Sequence, residues 1–105
     1  MFSRWDPLQL QGGTLPVIVV SRDIINVYSP VVLAVPCTTY RPQKTIYPTQ
    51  VLIQSPNGGL NKDSLAMADQ VRVLSKTRLI QLRGTLNQEI IQQLNQALII
   101  ALDLL

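Results

Sequence analysis

Histidine is absent from the chain, which removes the commonest general acid/base and the commonest transition-metal ligand from any chemistry it performs. Catalysis here must run on other groups. Cysteine is nearly absent, since Cys37 stands alone, and that excludes an intrachain disulfide, a cysteine zinc site and a disulfide-stapled secreted scaffold. A reducing cytoplasm is the expected location. The start MFSRWDPLQLQ has no apolar stretch between a basic end and a small-residue cleavage site, so it does not read as a signal peptide. Long apolar runs are missing too. The segment from Ala97 to Leu105 is the most apolar, but it holds Asp103 and falls far short of the ~18–20 residues that span a bilayer; no membrane role is expected.

Charge is scarce as well, at 14% of residues against about 25% in soluble domains. Apolar residues make up 47% of the 105, a balance that excludes disorder and suits one domain. Some of that apolar surplus is expected to meet a partner. Nine Lys/Arg against six Asp/Glu leave a net charge of +3, which mildly favours a polyanionic ligand such as nucleic acid.

What is present reads as strands followed by one helix. Leu15 to Ser21 (LPVIVVS) and Val31 to Thr39 (VVLAVPCTT) are β-branched apolar runs separated by Tyr28-Ser29-Pro30, and no helical pattern of ~10 residues lies between them. An antiparallel sheet or small barrel is therefore preferred over a parallel one. Asp23 and Asn26 read as turn-shaping Asx residues. Tyr40 to Pro48 reads as a loop, Thr49 to Ile53 as a strand, and Ser55-Pro-Asn-Gly-Gly59 as a turn, since Gly and Asn tolerate positive φ. Short strands are expected at Ser64 to Met67, Asp69 to Leu74 and Ile80 to Arg83.

From Asn87 the period changes. Apolar residues at 90, 91, 94, 97, 98, 101, 102 and 105 form one stripe of an amphipathic helix, with Asn87 as N-cap and Glu89 at the positive end of the helix dipole. Ile99 and Ile100 fall outside it, on a surface for a partner. Five or six strands and a C-terminal helix make a β-rich α+β domain.

Several ordered pieces of the chain resemble the MazF/PemK toxin family. They are GGTLPVIVVSRDIINVYSPVVLAVPCTT, YPTQVLI, GLNKDSLAMADQVRVLSKTRL and the closing helix with ALIIAL. Together they run from about Gly12 to Leu102. The resemblance implies an SH3-like barrel with a C-terminal amphipathic helix over residues 12–105, preceded by an atypical segment at 1–11. It also implies a homodimer, a cognate antitoxin as partner, contact with DNA only through the toxin–antitoxin complex, and cleavage of single-stranded RNA without a metal or other cofactor.

In the family's pattern an Arg before the Pro of the first strand and a Thr ending the next strand carry catalysis. Thr38 matches the Thr, and Leu15, before Pro16, stands where the Arg belongs. Attack of a ribose 2′-OH on the adjacent phosphate needs a proton acceptor and positive or hydrogen-bonding stabilisation of the phosphorane; leucine supplies neither. Two functional expectations follow. One is an active endoribonuclease, and the other is a relative with impaired catalysis that binds antitoxin or nucleic acid without efficient cleavage.

Four further residues are candidates for substrate binding. Arg41 and Lys44 lie in the loop after Thr38, where cations can follow an RNA backbone, and Tyr40 and Tyr47 nearby could stack bases. Gln70 and Arg72 are expected on one face of a short strand, as i and i+2 must be. Arg78 and Arg83 read as ion-pair partners for Asp63, Asp69 or a neighbouring protomer. Cys37 reads as a small buried hydrophobe, and Trp5 as a residue left in solvent.

Overall fold

The first apolar run is continuous because it is buried on both sides. In the computed structural model, which describes residues 2–13 and 15–104, β2 (Pro16–Val19) is buried along its whole length. Val17 and Val19 enter one apolar cluster, while Ile18 and Val20 enter another. Side chains alternate across a strand, so β2 has no face left for a polar residue.

The strand β3 (Val31–Thr39) is the hub of the sheet. Along one edge it pairs with β2; elsewhere its first half pairs with β6 (Arg72–Ser75) and its last residues with β5 (Ser64–Met67), which in turn pairs with β4 (Gln50–Ile53). On the far side of β2 lie β1 (Pro7–Leu10) and then β7 (Leu79–Leu82). All these pairs are antiparallel, in the order β4-β5-β3-β2-β1-β7 with β6 branching from β3. Changing partners half-way along β3 bends the sheet and gives it an apolar cluster on each face. This is the expected α+β class, a β-rich SH3-like barrel with a helix closing the chain.

That helix, α2 (Gln88–Leu102), starts where its sequence predicts, with the Asn87 Oδ1 accepting from the Ile90 backbone N–H at 2.9 Å. Ile90, Leu94, Ala97 and Leu98 of the stripe are buried against Ile53, Ala66 and Ala68 of the sheet side, Ile91 packs at its margin, and Leu102 is exposed. Leu105 lies outside the described residues. Among the described residues no helix is long and apolar enough to cross a membrane.

The structure departs from the sequence reading in several places. The segment at 1–11 supplies a strand: β1 pairs on both edges, and Leu8 is in the core. Among the described residues seven strands form rather than five or six. Trp5 is not left in solvent; it packs against the larger core cluster, its backbone N–H donating to the Val19 carbonyl, with Arg4 over its ring. Finally, Ala68–Gln70 is a 3-10 turn, so Gln70 does not share a strand with Arg72. Period-2 patterning does not register a turn of three residues.

Between β2 and β3 the expected turn is a short helix, α1 (Asp23–Tyr28). Asn26 is fully buried there, taking the Ser21 hydroxyl at 2.5 Å and donating to the Ser21 carbonyl at 2.9 Å. The Ser21 hydroxyl also accepts from the Leu33 N–H, so the buried polar groups are mutually satisfied as burial requires. Asp23 accepts from the Arg4 N–H at 2.8 Å, fastening the N-terminal segment to α1.

Candidate active site at the Leu15 ridge

Thr38 reaches its site through strand parity. Cys37 points into the larger core cluster, fully buried, so its neighbours Pro36 and Thr38 face the other way. There a cleft of about 340 Å³ is bounded by Leu15, Thr38, Met67, Arg72 and Leu74, among others. Arg72 is exposed, at the start of β6. Its guanidinium reaches back to the Gln70 carbonyl and side-chain oxygen, both at 3.5 Å, which is the outer limit of hydrogen bonding. A cation so loosely held remains available to a phosphate.

The structure thus brings Thr38 and Arg72 onto one cleft with Leu15, and sets Gln70 behind Arg72. Arg41 and Lys44 do neither. They are exposed on the β3–β4 loop, joined by the Lys44 N–H to Arg41 carbonyl turn, and they do not line this cleft. Tyr47 is likewise exposed, on the far end of that loop. Burial pushes the Cys37 thiol up to about 12, so it holds no thiolate at neutral pH and is no nucleophile.

Leu15 also borders a second, more polar cleft of about 230 Å³. Its walls include Thr39, Asn61, Lys62, Ser64 and Arg83, of which Lys62 and Arg83 had no place in the sequence-derived site. Arg83 is held by neutral acceptors, the Gln9 side chain at 2.8 Å and the Gly59 carbonyl at 3.5 Å, rather than by an aspartate. The expected partner Asp63 instead accepts from the Ser55 N–H. No local pattern in sequence announces this arrangement, because it depends on a backbone crossing. Gly59 adopts φ +70°, and a Cβ there would strike the Arg83 carbonyl; a Cβ on Gly84 would lie 2.7 Å from the Gly59 nitrogen. The two loops touch only because both positions are glycine.

Residues 7–102 match the sequence model of the PemK-like, MazF-like toxins of type II toxin–antitoxin systems. The chain belongs to that family. Among curated relatives, the endoribonuclease MazF of Staphylococcus saprophyticus is 37% identical over 94 residues, spanning 90% of this chain and 78% of the relative. Among solved structures, an endoribonuclease from a mycobacterial species in complex with its cognate antitoxin superposes with a TM-score of 0.85 at 27% identity, covering 100% of this chain and 98% of that one. A chain of the MazE–MazF crystal structure (Form III) from Deinococcus radiodurans gives 0.79 at 18% identity, over 99% and 98% of the two chains, a likeness of fold alone. The MazF/PemK match begins at β1, so the family's pattern includes part of the segment read as atypical. Leu15 remains the departure. It is 42% exposed on the ridge between the two clefts, where a longer polar side chain would fit as readily.

Proposed function

We propose that this chain is the toxin of a type II toxin–antitoxin pair and cleaves single-stranded RNA by transesterification, without a metal ion. The observation that carries the reading is the meeting of Thr38 and Arg72 on one cleft beside Leu15, in a chain of this family. The ribose 2′-OH gives up its proton to water and attacks the adjacent phosphorus, and the 5′-oxygen of the next nucleotide leaves and takes a proton from water, giving a 2′,3′-cyclic phosphate and a 5′-hydroxyl. Thr38 donates a hydrogen bond to a non-bridging oxygen, and the Arg72 guanidinium neutralises the charge that builds on the phosphorane. Gln70 acts through Arg72, accepting from its guanidinium, while Arg41 and Lys44, exposed on the β3–β4 loop away from this cleft, take no part in the step.

Incubation of a long RNA with the protein in EDTA tests this. Cleavage to cyclic-phosphate ends, lost about 10²-fold or more in Thr38→Ala and Arg72→Gln, is the expected result; intact RNA at high protein concentration refutes it. Leu15 favours one second reading, a relative that binds RNA or antitoxin but turns over poorly, which predicts that Leu15→Arg creates activity.

An antitoxin is the expected macromolecular partner, and the cytoplasm the expected compartment. A homodimer is supported by the large apolar side chains left exposed: Ile24, Val27 and Tyr28 of α1, and Leu33 and Val73, which face each other across β3 and β6. Exposed apolar surface of this kind suits an interface between copies.

A further inference from the structure

The polar cleft on the other side of Leu15 is not explained by Thr38 and Arg72. Lys62 and Arg83 both line it, together with the hydroxyl-bearing Thr39 and Ser64 and the amide of Asn61. Its cations arrive from different parts of the chain, Lys62 before β5 and Arg83 after β7, and the site exists only because the Gly59 and Gly84 backbones cross. Arg83 is also fastened by hydrogen bonds. Its N–H donates to the Pro7 carbonyl at 2.8 Å, and its half-buried guanidinium is oriented by Gln9 and Gly59, acceptors that leave its charge unneutralised. A guanidinium oriented in advance loses less rotamer entropy on binding an anion. The clefts share Leu15 and Pro16 as their common wall, so a polyanion that fills the first continues into the second.

We propose that Arg83 and Lys62 form a phosphate subsite that holds the single-stranded RNA backbone next to the nucleotide placed against Thr38 and Arg72. The inference rests on the RNA-cleaving reading and adds to it a subsite on the side of Leu15 away from Thr38. Leu15 offers no positive charge on the ridge, and this subsite puts cations on its far flank.

The test uses the full chain and a 2′-O-methyl RNA decamer, which cannot undergo 2′-OH attack, followed by fluorescence anisotropy at several salt concentrations. Arg83→Gln and Lys62→Gln are expected to weaken binding about tenfold and about threefold. Each should also lower the magnitude of the salt slope by about 0.7, the value of one phosphate contact on a single strand. Arg22→Gln, an exposed charge change on the α1 side of the molecule, serves as the control and should leave both quantities unchanged. Thermal melts of every variant separate loss of the site from loss of the fold. Should a variant unfold, Arg83→Lys, which keeps the charge and loses the fork, must bind with an intermediate affinity. Equal binding by Arg83→Gln, Arg22→Gln and the unaltered protein overturns the subsite, as does failure of the unaltered protein to bind the decamer. Cleavage of long RNA in EDTA is scored separately, so an active enzyme with a dispensable Arg83 overturns the subsite alone.

Discussion

Replacing Leu15 by arginine is expected to raise RNA cleavage by roughly 20- to 160-fold. Leu15 is 42% exposed and borders both clefts, so the new side chain keeps its charge in contact with water and displaces no core packing. Stability should change by no more than about 0.5 kcal/mol, as for other surface substitutions. A donor aimed at developing oxyanion charge is worth about 2.7–4 kcal/mol. Against this stands repulsion from Arg72, Lys62 and Arg83, about 1 kcal/mol for two like charges at 4 Å in water. Stabilisation wins, leaving roughly 1.7–3 kcal/mol, and each 1.36 kcal/mol is tenfold in rate. The assay is single-turnover cleavage of a fluorophore–quencher RNA oligonucleotide in EDTA, with KM measured alongside. The gain should fall on the rate constant, because the new interaction strengthens as the phosphorane forms. If the unaltered protein already cleaves as fast as Leu15→Arg, the reasoning is refuted, and the missing arginine has been replaced in function by groups already present.

Three further outcomes follow from the fold. Because burial holds the Cys37 thiol at about 12 against about 8.5 when unfolded, the unfolded chain releases this proton first as pH rises. Stability is therefore unaffected below about pH 8.5 and falls by up to about 1.4 kcal/mol per pH unit above it, until the folded value is reached. Urea midpoints of the unaltered protein should decline more steeply between pH 8.5 and 10.5 than those of Cys37→Ala, and parallel slopes would contradict the assigned burial. Gly59→Ala drives a Cβ into the Arg83 carbonyl at a positive φ, at a cost of more than about 2 kcal/mol. A thermal midpoint lowered by less than about 8 °C would show that the crossing yields easily. Asn87→Ala removes the side-chain cap from Ile90 and should cost about 1 kcal/mol in urea unfolding, and no change there would mean that water caps the helix equally well.

Much of the fold was legible because its signals are local. The double-sided burial of β2 shows as unbroken apolarity, the cap and stripe of α2 as spacing, and the loop at Ser55–Gly59 as glycine chemistry realised at φ +69° and +70°. Where local signals were weak, the reading failed. Pro7–Leu10 is a four-residue strand with little alternation, and it forms because β2 and β7 offer it two edges. The 3-10 turn at Ala68–Gln70 is too short to leave a period, and Trp5 is drawn in by a core assembled from distant residues.

For the site the division is sharper. Composition alone decided that any catalysis here runs without histidine, and the order of short motifs along the chain singled out Thr38 as a candidate and exposed the leucine at position 15. Those are properties of residue identity, and they survive without coordinates. Which cations stand beside Leu15 was decided by tertiary structure. Arg72 and Arg83 are close in sequence yet line opposite sides of the ridge, Lys62 joins Arg83 from another loop, and Arg41 and Lys44, nearest to Thr38 in the chain, point elsewhere. The physical reason is that β3 changes partners along its length and two glycine backbones cross; both are long-range contacts, set by packing rather than by the residues on either side.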